Sequence, residues 1–70
     1  MPKLYSSAHI VKILGEHGFI FVSQKGSHIK LRKTGEPTLT VIVPANRKEI
    51  PVGTFRSILR QSSLTEADFK

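Results

Sequence analysis

A stripe of apolar residues at helical spacing lies near the start of the chain and consists of Ile10, Val11, Ile13 and Leu14. Ser6 and Ser7 precede this stripe, and serine is a preferred N-cap residue. Gly18 follows it, at the place where a left-handed glycine commonly ends a helix. The pattern predicts a helix that runs to about His17 and leaves residues 1–5 as a loose lead-in.

Three short runs typical of β-strands come next. Phe19–Gln24 is aromatic and β-branched, and His28–Lys33 and Thr38–Val43 alternate between the two faces of a strand. The residues between these runs, Lys25–Ser27 and Thr34–Pro37, are rich in turn formers. Connections this short require antiparallel neighbours, because a parallel return needs a longer crossover.

A second amphipathic helix is predicted from about Val52 to Gln61, after a polar loop over residues 44–51. Its inward side chains are Phe55, Ile58 and Leu59, and Arg56 and Arg60 lie outside. A short last helix follows, with Thr65 as its cap and Asp68 as the capping-box acid. We expect residues 1–70 to form one α+β domain of order α-β-β-β-α, with an extra C-terminal helix.

The second strand indicates which face of the sheet is covered. Ile29 and Leu31 point to one side, and His28, Lys30 and Arg32 point to the other. Both helices therefore pack on the Ile29 side of a three-stranded antiparallel sheet, which leaves the His28 side open. This is also the layout of double-stranded-RNA-binding domains, although a shared fold does not establish function.

The charge of the chain points to an anionic partner. Eleven Lys and Arg residues stand against five Asp and Glu residues in 70, which gives a net charge of +6. Nucleic acid, an acidic protein and an anionic membrane surface are all attracted by such an excess. The chain has no cysteine, which excludes disulfides, zinc–thiolate sites and thiol nucleophiles. No signal-peptide pattern or membrane-length apolar run is present, so we expect a cytoplasmic protein with no membrane partner.

The segment Gly26–Arg32 places one imidazole in line with two cations. Cleaving RNA without a metal needs a base to deprotonate a 2′-hydroxyl, an acid to protonate the departing 5′-oxygen, and cations to stabilise charge on phosphorus. Histidine suits these proton transfers because an unperturbed imidazole has a pKa of about 6.5. On spacing alone, a lone surface histidine beside cations is more often a solvated residue, and Lys30 and Arg32 are more often the solvent-exposed face of a sheet. His9 fits an exposed helix residue, and His17 fits the helix C-terminus, where a cation is favoured.

Other chemistries find less support in the sequence. There is no histidine pair at metal-binding spacing and no glycine-rich phosphate loop, so we expect neither a metal site nor a small-molecule cofactor. The five acids are scattered, which disfavours a two-metal nuclease. Ser27 next to His28 does not make a nucleophile and base, because adjacent strand residues point to opposite faces.

Four segments of the chain are similar to the HicA toxin family (also described as YcfA-like) of HicA–HicB toxin–antitoxin modules. They are Gly18-Phe19, Gln24–His28, Val41–Pro44 and Lys48–Gln61. They are distributed from Gly18 to Gln61, in the family's order and spacing. Gly-Ser-His alone would be a weak signal, and the combination with the Lys48–Gln61 block is specific.

The resemblance implies a type II toxin with a double-stranded-RNA-binding-like fold, a ribonuclease that cleaves messenger RNA and blocks translation. It implies that His28, in the Gly-Ser-His motif, is the catalytic residue and that a HicB-type antitoxin covers the site. One departure is visible: many relatives carry a histidine after the proline of strand three, where this chain has Ala45–Arg47. The acid that protonates the leaving group is therefore unassigned.

These observations together predict a metal-independent endoribonuclease with His28 as general acid or base. The expected RNA contacts are four cationic side chains, namely Lys30, Arg32, Lys25 and Lys48. Gly26 would supply backbone freedom at the turn, and Ser27 a local hydrogen bond. Two alternatives stay open: a non-catalytic RNA-binding module that acts by occupancy, and a basic protein-interaction domain that docks an acidic partner.

Overall fold

The computed structural model describes residues 3–70, so residues 1 and 2 of the expected lead-in lie outside the described part. Its elements are α1 (Ser7–Glu16), β1 (Ile20–Lys25), β2 (His28–Lys33), β3 (Leu39–Pro44), α2 (Val52–Ser62) and a C-terminal 3₁₀ helix (Glu66–Phe69). The strands form one antiparallel sheet in the order β1-β2-β3. The predicted α+β class and the α-β-β-β-α order are confirmed.

Both ends of α1 follow from local chemistry. The Ser6 side chain accepts a hydrogen bond from the His9 backbone N–H at 3.1 Å and caps the helix, so Ser7 is its first residue. His17 is the C-cap, and Gly18 has a φ of 94°. A side chain is disfavoured at this φ, and a Cβ there would also lie 3.4 Å from Cε of Lys33. The sequence predicted these two helix ends correctly.

Two strands are shifted by one residue from the predicted bounds, and the packing of their first and last residues explains why. Phe19 is buried, and its N–H donates to the Leu14 carbonyl at 3.0 Å, so this residue belongs to the turn that ends α1. Pro44 is the last residue of β3, whereas the sequence predicted that the strand ends at Val43. A proline, which has no N–H, is tolerated in this strand because β3 lies at the edge of the sheet.

The helices cover β2 and β3 far better than β1. The sheet side chains in the core are Leu31, Val41 and Val43. In β1, by contrast, Ile20 and Phe21 are 64% and 60% exposed. A β-bulge between Phe21 and Ser23 interrupts the pairing of β1 with β2. The strand of lowest burial thus forms one edge of the sheet.

Tyr5 corrects the expectation that the first residues are loose. Its side chain is buried, and its carbonyl accepts a hydrogen bond from the Ile50 N–H at 2.8 Å. Its ring stacks on His9 with centroids 4.9 Å apart and contacts the rings of Phe55 and Phe69. Because Ile50, Phe55 and Phe69 come from distant parts of the chain, the local pattern gave no sign of these contacts.

His9 is also different from the exposed residue that the helix pattern suggested. Its side chain is half-buried, and Nε2 lies 2.6 Å from the carbonyl oxygen of Phe69. A carbonyl only accepts, so Nε2 carries the proton and donates it. Phe69 itself is fully buried. His9 therefore fastens the C-terminal 3₁₀ helix to α1.

The C-terminal 3₁₀ helix begins with the predicted capping box. Asp68 Oδ2 accepts hydrogen bonds from the Thr65 backbone N–H at 2.8 Å and from the Thr65 hydroxyl at 3.0 Å. The backbone bond and then the hydroxyl bond lower the pKa of Asp68 below its usual 3.8, with a smaller contribution from the charge of His17.

The sign of this shift gives a test of the capping box. A lowered pKa means that the Asp68 carboxylate stabilises the fold fully above pH 3.8 and that this contribution disappears as the pH falls below that value. We expect Asp68→Asn to lower the melting temperature near pH 7 and the gap to the parent to shrink below pH 3.8. Glu66→Gln, which removes an acid outside the capping box, is the control. A melting-temperature gap that stays the same from neutral pH to well below pH 3.8 would contradict the prediction.

Candidate active site

The alternation of β2 presents three of the predicted site residues on the open face of the sheet. Leu31 is 2% exposed and lies in the core, and Ile29 packs against the same core. His28, Lys30 and Arg32 therefore project to the opposite side. His28 is exposed, whereas Lys30 is half-buried.

The strand register brings neighbours to His28 and Lys30. Lys25 of β1 and Pro44 of β3 lie opposite His28, and Ser23 and Ile42 lie opposite Lys30. A shallow concavity of about 170 Å³ results, lined by Ser23, Lys25, His28, Lys30 and Ile42. The structure thus unites His28 with two of its four predicted cations.

Neither Ser23 nor Ile42 was predicted as a site residue, although the length of the turn before His28 implied the position of Ser23. A two-residue turn at Gly26-Ser27 pairs Lys25 with His28, and counting back along β1 then places Ser23 opposite Lys30. The position of Ile42 depends on the register of β3, which follows a longer and less regular loop. That register could not be read from the local pattern.

The turn before His28 depends on the backbone conformation of Gly26 and on a backbone hydrogen bond to Ser27. Gly26 has a φ of 57°, a conformation that glycine adopts without strain. Ser27 lies in the turn and not in β2, so strand alternation does not fix the direction of its side chain. Its carbonyl accepts a hydrogen bond from the Ala45 N–H at 2.7 Å, which ties the turn to the loop after β3.

The other two predicted cations lie outside this concavity. Arg32 is on the same face, but four residues along β2, or about 13 Å from His28 at 3.3 Å per residue. Lys48 is in the loop before α2 and lines a different groove, together with residues of α1. The five predicted residues therefore do not form one cluster.

The open face carries an excess of positive charge. The strands present Lys25, Lys30 and Arg32 on this face, whereas Lys33 projects to the helix side near Phe19. The three strands contain no Asp or Glu residue. The acids of the chain lie in helices and loops, at Glu16, Glu36, Glu49, Glu66 and Asp68. Cations on a surface without compensating acids attract a polyanion such as a phosphate backbone.

Ser7 connects the loop after β3 to α1 and was predicted only as a possible cap. Its side chain is 5% exposed, and its Oγ donates to the Pro44 carbonyl at 2.5 Å and accepts from the Arg47 N–H at 3.0 Å. Its own N–H donates to the Arg47 carbonyl at 2.9 Å. We call these three bonds the Ser7 clamp. Because Pro44 pairs with His28, the clamp fixes one side of the candidate site.

Two further findings concern metal binding and membrane insertion within residues 3–70. This part of the chain contains no group of three or more His, Cys, Asp or Glu side chains that could hold a metal ion. None of the helices in the same part of the chain is both long and apolar enough to span a membrane.

A comparison with models of protein families identifies the family of the chain. A model described as the HicA toxin of bacterial toxin–antitoxin systems matches residues 7–64, from the first residue of α1 to just beyond α2. The chain belongs to the HicA toxin family. Membership supports a toxin function and implies an antitoxin partner. A search of curated proteins gave no match.

Because of the Ser7 clamp, replacing Ser7 should destabilise the fold more than replacing an ordinary helix serine. Ser7→Ala removes the hydrogen bonds to the Pro44 carbonyl and from the Arg47 N–H, both of them part-buried. A hydrogen bond contributes about 0.5–1.5 kcal/mol net, so the loss of two costs about 1–3 kcal/mol in total. We expect urea unfolding to show a loss of that size. Ser57→Ala is the control, because the Ser57 hydroxyl bonds only Gly53 of its own helix and Arg60 at the surface. Equal losses for the two variants would argue against the clamp.

Proposed function

We propose that this HicA-family protein is a metal-independent endoribonuclease that cleaves messenger RNA and thereby blocks translation. The observation that carries the proposal is the exposure of His28 between Lys25 and Lys30 in one concavity on an acid-free sheet face. An imidazole that can be reached by a phosphodiester, with cations on both sides, meets the basic needs of the reaction.

The reaction follows from the groups available. The 2′-hydroxyl next to the scissile bond loses its proton and attacks phosphorus, while the bond to the 5′-oxygen breaks and that oxygen takes up a proton. The products are a 2′,3′-cyclic phosphate and a 5′-hydroxyl. His28 acts in one of the two proton transfers, as general base or general acid.

The cations divide between the reacting phosphate and its neighbours. Lys25 and Lys30 flank His28 in the concavity and stabilise the charge that develops on the phosphate oxygens. Arg32, further along the same face, contacts a neighbouring phosphate of the same strand. Gly26 and Ser27 hold the turn that presents His28.

The same face suits the antitoxin that the family implies. A HicB-type antitoxin would neutralise the protein by covering the concavity with acidic and apolar groups. The open face offers the matching surface, since the cations surround half-buried Ile42. Inhibition then consists of excluding RNA from His28.

If His28 is the general acid or base, replacing it should abolish most RNA cleavage and leave the fold intact. We expect the purified protein to cut a defined RNA in EDTA and His28→Ala to cut it at least 100-fold more slowly, in line with the roughly 10²–10⁴-fold that one acid or base contributes. His17→Ala, which removes a histidine at the end of α1, should cut like the parent. Gel analysis of products and circular dichroism of each variant provide the measurement.

The other outcomes of this experiment separate the alternatives. Cleavage by both the parent and His28→Ala would remove His28 as the catalyst. If neither protein cuts but both bind RNA, the protein acts by occupancy. If neither binds RNA at moderate salt, the basic face serves a protein partner instead.

Lys30 gives a second prediction, because a phosphate contact has a characteristic dependence on salt. In the His28→Ala background, Lys30→Gln should weaken binding to single-stranded RNA and reduce the slope of log K against log salt by about 0.7. Arg56→Gln, an exposed residue of α2, removes the same charge and should leave the slope nearly unchanged. Fluorescence anisotropy over a series of salt concentrations measures both. The same slope in the two variants would show that only net charge matters.

A further inference from the structure

A second and larger groove opens on the helix side of the sheet and has a volume of about 730 Å³. Its apolar lining comes from Ala8 and Val11 of α1 and Ile29 of β2. Its cations are Lys12, Arg47 and Lys48, and all three are exposed. We call this the α1 groove. No Asp or Glu lines it.

The α1 groove begins next to the candidate active site. Ile29, part of its lining, directly follows His28 in β2. On the other side of the groove, the loop that carries Arg47 leaves β3 at Pro44, the residue paired with His28. The hydrogen bond from Ala45 to Ser27 joins these two sides. An RNA strand that passes from His28 over this end of the sheet, where β2 begins and β3 ends, would therefore enter the groove.

We propose that the α1 groove binds the RNA strand adjacent to the cleaved bond, an inference that rests on the proposed ribonuclease function. Lys12, Arg47 and Lys48 contact its phosphates, and a base lies against the apolar surface of Ala8, Val11 and Ile29. The two concavities then form one continuous path for a single strand, with His28 at its turning point.

The composition of the groove favours RNA over an apolar protein segment. Single-stranded nucleic acid offers phosphates along one side and base faces along the other, and proteins bind it with cations beside a surface for the bases. Three cations around three apolar side chains have this arrangement. The net charge of +6 adds a long-range attraction for the same ligand.

The groove is formed before a ligand arrives. The Ser7 clamp holds the Arg47 backbone on α1 through two hydrogen bonds. Asn46 has a φ of 58°, a left-handed conformation that asparagine tolerates better than most residues. A loop fixed in this way loses little freedom on binding, which reduces the cost of forming the complex.

A carboxylate placed in the groove tests the proposal. Ala8 is exposed in the first turn of α1, so Ala8→Glu puts a negative charge beside the expected phosphates, and an acid at a helix N-terminus does not destabilise the fold. Ala8→Gln is the neutral match. Ala67→Glu, on the exposed surface of the 3₁₀ helix, makes the same change in net charge elsewhere.

The measurement is the affinity of each variant for a fluorescein-labelled single-stranded RNA of about twenty nucleotides, in the His28→Ala full chain so that no cleavage interferes. We expect Ala8→Glu to raise Kd at least tenfold and clearly more than Ala8→Gln, which alters the apolar surface without adding a charge, and Ala67→Glu to change Kd less than threefold. Melting temperatures should show that Ala8→Glu is as stable as the parent. Arg47→Gln should raise Kd several-fold, since it keeps the backbone of the clamp and removes one cation.

Two results would overturn the α1 groove as an RNA site: an unchanged Kd in Ala8→Glu, or equal losses in Ala8→Glu and Ala67→Glu. Cleavage assays with His28 intact separate this failure from that of the proposed function. If the parent cuts RNA and Ala8→Glu binds and cuts equally well, only the groove proposal fails. If Ala8→Glu alone loses binding while the parent never cuts, the groove is an RNA-binding site but the ribonuclease proposal fails.

Discussion

The alternation of side chains in β2 couples the position of His28 to the burial of Leu31. A strand cannot move one side chain to the other face without moving all of them, because its side-chain period is two residues. A slip by one residue would place Lys30 in the core in exchange for Leu31, and burying an unpaired charge costs far more free energy than new packing could return. The core that stabilises the fold thereby also keeps the imidazole and its cations on the open face.

The Ser7 clamp extends this constraint from the sheet to α1. Through one buried hydroxyl, the start of the helix holds both the last residue of β3 and the backbone of Arg47. Pro44 in turn pairs with His28, so the candidate active site and the α1 groove share one fixed boundary. The two concavities lie on opposite sides of the sheet, and the same hydrogen-bonded segment from Pro44 to Arg47 borders both of them.

The parts of the structure that could be predicted from the sequence depend on short-range patterns. The element order, the facing of β2, the Gly18 helix end and the Thr65–Asp68 capping box all follow from residues a few positions apart. Tyr5 and His9 were misjudged because their partners, Ile50 and Phe69, are distant in the chain. Within the site, the turn at Gly26 indicated which residue faces His28. The loop with Lys48 leads to the second helix on the covered side of the sheet, and the local pattern did not show that it forms a groove with α1 there.

The contact between the two ends of the domain changes where unfolding begins. Chain ends usually fray first, yet Tyr5 and Phe69 lie in the core with ring centroids 6.4 Å apart. β1 has no such anchor, since its apolar side chains are largely exposed and its pairing is interrupted by a bulge. Among the three strands, β1 has the fewest buried side chains, so we expect local opening of the sheet to start there. Because Ser23 and Lys25 belong to β1, opening of this strand alone would remove one wall of the His28 concavity and leave the core of the domain in place.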